Sequence, residues 1–296
     1  MTEIGKKSAA SEILKVFYVL IFLLLIQACS LFGDKKSQGI KLSGNGRTDY
    51  CIAGNRNASE AEAFALKELK NYLHKITGSE FKSCDEKAVP LGARCIYVGQ
   101  TDYAKSRGLD FNGFGEEGWL IKSTGDGDLI ISGGRPRGTL YGVYEFLEKY
   151  AGCRWLDEET EIVPKNPDLA LDTPVDSRGK PAFSLRGLYV SVRNMERYKL
   201  FSVRNKYSYD SIMDAKLGFH YMIGRPGDCH TFYRYTQSWP KEYENLFSLS
   251  SHGKRQRALT GHGPGQVCMT NPKVKELFLE KLREYIKEDR ADAQIK

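Results

Sequence analysis

Residues 133–148 read GGRPRGTLYGVYEFLE, and the architecture of the chain can be worked outward from them. Just upstream, Leu129–Ser132 (LIIS) is a short apolar run of the kind that forms a buried strand. Two glycines and a proline end that strand. Leu140, Tyr141, Val143, Tyr144, Phe146 and Leu147 then crowd one broad face of a helix. A glycine-rich turn opening a helix can cradle a phosphate, and Arg135 and Arg137 would assist. Neither the Walker spacing nor GxGxxG is present, however. The simpler expectation is that Gly133, Gly134 and Gly138 serve backbone geometry while an arginine braces the turn.

Upstream of this block the pattern predicts a strand at Tyr50–Ala53 and then a helix. Ser59 followed three residues later by Glu62 is a capping box. Ala65, Leu66, Leu69, Tyr72, Leu73 and Ile76 give that helix its apolar face, and Gly78 stops it. Cys95–Val98 reads as a buried strand. Gly118–Lys122 and Leu129–Ser132 read as hairpin partners across the turn Gly125–Asp128. The expected order is β, α, β, β, β, α, with the helices on one face of a mixed sheet. Downstream, AGCRWLDEETEIVPK (151–165) leads into a stretch punctuated by Pro164, Pro167, Pro174 and Pro181, which predicts an extended linker over 157–180. Asp157, Glu158, Glu159 and Glu161 lie there; an acidic cluster beside prolines is ordinarily a solvated loop.

Beyond the linker, Phe183–Val192 (FSLRGLYVSV) is a strand carrying one arginine, and a buried guanidinium needs a partner or a polar site to point at. Ser208–Leu217 predicts a helix, Phe219–Ile223 a second strand, Gln266–Met269 a short strand, and residues from Pro272 a long helix capped by Asn271. Strand, helix, strand is the repeat of a parallel barrel, whose active rim lies beyond the strands' C-terminal ends. Gly224–Thr231 would sit there, with the aromatic loop of Tyr233, Tyr235 and Trp239 covering the barrel or stacking on sugar rings.

The blocks GGRPRGTLYGVYEFLE and AGCRWLDEETEIVPK resemble the small α/β domain that precedes the catalytic barrel in bacterial β-hexosaminidases and in xylan-directed α-glucuronidases. The chain is similar to the family labelled domain of unknown function 4838 (DUF4838), from about Tyr50 to Asn271. The resemblance implies a fold that is α/β and α+β: a mixed-sheet β-hexosaminidase domain-2-like unit, then the first part of a (β/α)8 TIM barrel. The expected divisions are a lipoprotein signal peptide at 1–28, a flexible tether at 29–47, the α+β domain at 48–175 and an incomplete barrel at 182–296. The phrase Pro181, Phe183, Arg186, Gly187, Leu188 is similar to the first barrel strand of β-hexosaminidases. There the matching arginine holds sugar hydroxyls, so the resemblance implies substrate binding by Arg186. The family's aspartate is replaced by Ser191, and Arg193 and Asn194 carry the likeness less directly. His230, in DCHTF, resembles a histidine–threonine pair on the rim of related barrels, which implies a binding role. Some 115 residues follow the linker, whereas a closed barrel needs about 250, so a fragment or truncated frame is expected.

The formal net charge of +7 is concentrated: residues 183–262 hold 13 Lys and Arg against 6 Asp and Glu. That half suits an acidic partner, with Arg186, Arg193 and Arg225 as candidate contacts for uronic acids. No Lys/Arg run there exceeds two and the basic residues are scattered, so nucleic acid is not the expected partner. The seven cysteines include no CxxC and no Cys/His ligand spacing, so no metal is expected. Apart from Cys29, they pair in an oxidising compartment or stay as buried thiols, and the sequence does not choose. Val16–Ile26 is an apolar run behind Lys6, Lys7 and Lys15, with Ala28 and Cys29 following. That resembles a lipobox and implies acylation of Cys29, removal of residues 1–28 and anchoring in the bacterial envelope facing periplasm or exterior, the membrane reached only through the lipid. No nucleotide, flavin or nucleophile-elbow motif appears, and no cofactor is expected. Glycoside hydrolysis needs two flanking carboxylates, and no such pair is identifiable, so the catalytic residues stay unassigned. Two functions are expected: an envelope-anchored carbohydrate-active protein related to glycoside hydrolases, or a non-catalytic glycan-binding surface lipoprotein.

Overall fold

A computed structural model describes residues 39–172, 174–188, 192–208, 215–219, 224–227, 231–257 and 266–292. The elements are β1 (Ile40–Lys41), β2 (Tyr50–Gly54), α1 (Glu60–Thr77), β3 (Lys82–Asp85), β4 (Arg94–Val98), α2 (Asp102–Ser106), β5 (Trp119–Ser123), β6 (Leu129–Gly133) and α3 (Gly138–Lys149). After them come β7 (Arg154–Trp155), β8 (Glu161–Ile162), β9 (Ala170–Leu171), β10 (Asp176–Gly179), α4 (Met195–Arg204), α5 (Phe232–Thr236) and α6 (Pro272–Ala291).

The fold is mixed α/β. Six strands form one sheet in the order β10-β5-β6-β4-β2-β3. Strand β2 pairs in parallel with β3 and β4, and β4 in parallel with β6, while β5 runs against β6 and β10 against β5. The period-two alternation of a strand sorts the side chains. Tyr50, Ile52, Ile96, Val98, Ile121, Leu129 and Ile131 form one core with the apolar faces of α1 and α3. Ala53, Cys95, Tyr97, Leu120 and Ile130 point the other way, onto Ala104 of α2 and onto Leu109, Phe111 and Phe114. Helices on one face were expected, but both faces are covered, because these strands are apolar at successive positions rather than alternately.

Helix α1 has the anticipated ends. The Glu62 amide donates to Ser59 Oγ (3.2 Å), the Ser59 amide donates to the Glu62 carboxylate (2.8 Å), and Gly78 caps the C-terminus at φ 73°. The hairpin β5–β6 is also as expected. Helix α6 begins at Asn271, whose side chain accepts from the Lys273 amide (3.0 Å), with Pro272 in the first turn.

Three expectations change. The tether does not extend to residue 47: Ile40 pairs with Leu171, and Ile40 and Leu42 are buried in the core. The linker 157–180 is not a boundary, since β8 pairs with β7, β9 with β1, and β10 completes the edge of the main sheet. Those strands, and β3, are too short or too polar to carry a strand signature; neighbours supply the order that local pattern does not. Within the expected barrel strand, Phe183–Leu188 has no ladder partner among the described residues, and Phe183, Leu185 and Leu188 are exposed. Strand Gln266–Met269 reduces to one bridge, Val267 to Phe247. Most of the expected helix 208–217 and second strand 219–223, together with 1–28, Cys29 and His230, lie outside the described residues. No helix among the described residues is long and apolar enough to cross a membrane.

Candidate functional site

The turn that closes β6 is built by backbone contact. A Cβ on Gly134 would lie 1.7 Å from the Gly115 carbonyl oxygen, and one on Gly138 would lie 2.1 Å from that of Gly118. The amides of Arg137 and Gly138 both donate to the Glu116 carbonyl, at 3.0 and 2.9 Å. The N-terminus of α3 is therefore occupied by the chain itself, and the turn is not a phosphate cradle. Arg135 reaches the buried Glu62 carboxylate at 2.8 Å. Arg137, itself buried, reaches Glu117 at 3.1 Å and Glu116 at 3.3 Å.

Glu117 is the meeting point. Arg186 donates to both its oxygens, Nη1 at 3.0 Å and Nη2 at 2.9 Å, in the fork geometry that makes guanidinium–carboxylate pairs specific. Arg186 Nε also donates to the Lys206 carbonyl (2.7 Å) and Nη1 to the carbonyls of Phe183 and Ser184. The Tyr141 hydroxyl donates to the Tyr207 carbonyl (3.1 Å) beside this pair. Burial pushes that phenol well above its ordinary range, with Arg137 and Arg186 pulling the other way. Arg186, expected on sugar, thus has its fork filled by a carboxylate of the preceding domain.

The same arrangement recurs along this segment. Arg204, at the end of α4, pairs with buried Glu68 (3.2 Å) and with Glu161 (3.6 Å), and Tyr144 also donates to Glu68 (3.1 Å). Lys206 reaches Glu145 (3.1 Å) and Glu148 (3.2 Å) on α3. Arg225 pairs with Asp289 (2.6 Å) and Asp292 (2.8 Å) at the end of α6. Much of the basic excess expected to face an acidic ligand is therefore neutralised inside the molecule.

Arg193 differs. It is exposed, makes no ion pair with the described residues, and lines a groove of about 360 Å³ together with Leu156, Glu158, Thr160, Leu188 and Phe201. The loop joining β7 to β8 forms one wall and α4 the other. Asp157 shapes the loop by accepting from the amides of Glu159 (2.8 Å) and Thr160 (2.7 Å); those bonds hold its carboxyl below the usual carboxylate range. Glu159 pairs with Arg197 across the groove's edge (3.4 Å). Asn194 does not face a ligand with its carbonyl oxygen: it caps α4, accepting from the Arg197 amide (3.1 Å). One cation, carboxylates and exposed leucines in a small groove suit an amphipathic, hydroxyl-rich ligand.

Hydrolysis asks for more, because a glycosidase acid must stay protonated near neutral pH. Asp157 here, and Asp85 and Glu161 elsewhere, are all held below the usual range, the opposite direction. Among the described residues no group of histidines, cysteines and carboxylates is arranged to hold a metal ion. The sequence pointed to Arg193 through resemblance and through the basic excess of its half. It did not single out Glu117 or Glu68 at all: an arginine within an apolar run signals that a carboxylate is needed but not which one.

Residues 155–296 match the family described as domain of unknown function (DUF4838), and residues 51–146 match the glycosyl hydrolase family 67 N-terminus. Similar solved structures include a family GH115 4-O-methyl-α-glucuronidase with specificity for decorated arabinogalactans, at 13% identity and TM-score 0.48, covering 80% of this chain and 40% of that one. A GH138 enzyme targeting pectin rhamnogalacturonan II matches at 22% identity and TM-score 0.26, over 34% of this chain and 13% of that one. A mutant Streptomyces plicatus β-hexosaminidase in complex with its product GlcNAc matches at 14% identity and TM-score 0.40, over 82% and 52%. The chain spans at most about half the length of these structures. No curated protein matches it.

Proposed function

Because residues 51–146 carry the family 67 glycosyl hydrolase N-terminal signature and residues 155–296 that of DUF4838, we propose that this chain is a carbohydrate-active relative of glycoside hydrolases that meets polysaccharide or glycan at the Arg193 groove. The family 67 match carries the reading, and the groove supports it. Arg193 is the cation of the basic half that stands exposed there without an ion pair among the described residues, next to exposed Leu156 and Leu188. Guanidinium donors engage sugar hydroxyls or a uronate carboxylate, and the leucines cover the apolar C–H faces of a ring. Arg186 takes a positioning role in this reading, holding the segment that leads to Leu188 and Arg193 against Glu117.

Calorimetric titration of the whole chain with uronate-bearing and neutral oligosaccharides tests the proposal, with Arg193→Ala expected to weaken binding about tenfold at unchanged melting temperature. Unchanged affinity in that variant removes the groove from the function. The second reading is glycan binding without cleavage, in which Asp157 serves its loop by accepting from the Glu159 and Thr160 amides. Release of reducing ends from the bound oligosaccharides separates the two. Anchoring in the envelope through an acylated Cys29 belongs to the same proposal, on the strength of the apolar run and Ala28 before it. Palmitate labelling that is equal in the wild type and in Cys29→Ala would remove it.

A further inference from the structure

A second groove, which shares no lining residue with the first, lies across the N-terminal ends of β2 and β4, where the parallel strands begin. It has two lobes, of about 460 and 690 Å³, both lined by Tyr50 and Arg94, and each is larger than the Arg193 groove. Both volumes fall in the range of ligand sites, about 300–1,000 Å³. Tyr50 and Arg94 are register partners on adjacent strands, so the sheet fixes their spacing. Tyr50 is held in turn: its hydroxyl donates to the Gly127 carbonyl at 2.6 Å. Arg94 Nε lies over the same turn, 3.8 Å from where a Cβ of Gly127 would be.

The charge of this groove differs from that of the paired arginines of the basic half. Arg186, Arg204 and Arg225 each sit against carboxylates, whereas Arg47 and Arg94, both exposed, form no ion pair with the described residues. The acidic groups nearby are mostly engaged. Asp126 pairs with Arg107, and Asp168 pairs with Lys41 at 3.4 Å. Asp128 accepts from the Cys95 amide (2.8 Å) and the Tyr103 hydroxyl. Among the described residues that line the groove, Asp49 is the acid without an ion pair, against two such arginines. The walls are peptide turns: no atom lies within 4 Å of where a Cβ would stand on Gly92 or Gly125, so backbone N–H and C=O groups are approachable. Tyr50 is 4% exposed, which leaves no ring face for a nucleic-acid base, and no exposed large apolar side chain lines the groove to receive an acyl chain. Two guanidinium groups free of ion pairs, Arg94 resting on the Tyr50 hydroxyl, above an open, hydroxyl-compatible floor match a ligand that carries carboxylates on a polar scaffold.

We propose that this groove is a second saccharide site, binding an acidic oligosaccharide through Arg47 and Arg94 independently of the Arg193 groove. The inference rests on the carbohydrate reading above. It places on the family 67-like domain a hold on polymer that uses residues other than those of the Arg193 groove.

The test is calorimetric titration of the whole chain with a galacturonate hexamer and, as a neutral control, a xylose hexamer, in wild type, Arg47→Ala/Arg94→Ala, Arg94→Glu and Arg193→Ala. The double variant and Arg94→Glu should lower galacturonate affinity about tenfold or more while melting stays within about 2 °C, as expected for exposed side chains. Wild-type binding should weaken with added salt. In Arg193→Ala the loss should leave one saccharide site per chain. Binding of galacturonate undiminished in both Arg47/Arg94 variants overturns this inference while leaving the carbohydrate reading intact. Absence of binding to either oligosaccharide in the wild type overturns both. Sedimentation with phosphatidylglycerol vesicles that depends on Arg94, alongside galacturonate binding that does not, makes the groove a membrane-facing surface and overturns the saccharide assignment.

Discussion

Arg186 holds both oxygens of Glu117 within 3.0 Å, and both side chains are 15% exposed. Its replacement by lysine keeps the charge and loses the fork, so Arg186→Lys should destabilise the chain by about 1–3 kcal/mol. Chemical denaturation with parallel sugar titration reads this. A melting curve that does not move while sugar affinity falls would return Arg186 to the binding site. The need for a partner was legible from the sequence, because a guanidinium among apolar neighbours is costly alone; the partner, 69 residues upstream, was not. Glu161 supplies a pH signature. Burial pushes its carboxyl up, but bonds from Lys75 and Tyr72 and the charge of Arg204 outweigh that and leave it below its ordinary value of 4.5. A group depressed in the folded state contributes stability that is present above the unfolded value and lost as pH falls toward the folded one. Melting temperature should therefore drop as pH falls below about 4.5, and Glu161→Gln should flatten that part of the profile. A Gln variant with the same acid slope as wild type would contradict the assignment.

Strands β2 and β4 are joined twice, by their parallel ladder and by a disulfide between register partners Cys51 and Cys95. The bridge closes a loop of 44 residues, for which chain entropy gives about 4 kcal/mol as an upper figure and measured bridges commonly give less. Reduction with dithiothreitol should lower the unfolding free energy by about 2–4 kcal/mol, and with it the denaturation midpoint, and Cys51→Ala should make the protein indifferent to reductant. Equal midpoints with and without reductant in the wild type would remove the bridge. Cys84 and Cys153 stay as thiols, and burial pushes both above the usual thiol range, Cys153 to about 11. Element by element, helices were easier to read than strands. The Ser59–Glu62 box and the Asn271–Pro272 start are local signals that need no tertiary partner. Strands such as β9 and β10 have two and four residues and exist because β1 and β5 offer them a ladder.

The whole molecule is held by charge as well as by core. Arg186, Arg204 and Lys206 reach five carboxylates of the preceding domain, so the basic half docks on the acidic residues of α1, α3 and the Glu116–Glu117 turn. Because β1 and β10 belong to that domain, a fragment of residues 39–180 should melt cooperatively, and a fragment of residues 48–175 should melt at least about 5 °C lower. Circular dichroism of both fragments checks this, and coincident melts would mean that the two added strands contribute nothing. By itself the sequence determined the layered α/β core, both ends of α1, the start of α6 and the glycine turn between β6 and α3. Those follow from periodicity and from backbone stereochemistry within a dozen residues. The tertiary structure alone decided where the domain begins and ends and which arginines are left for a ligand. Ion pairs form between groups tens of residues apart, and composition counts charges without showing which already face each other.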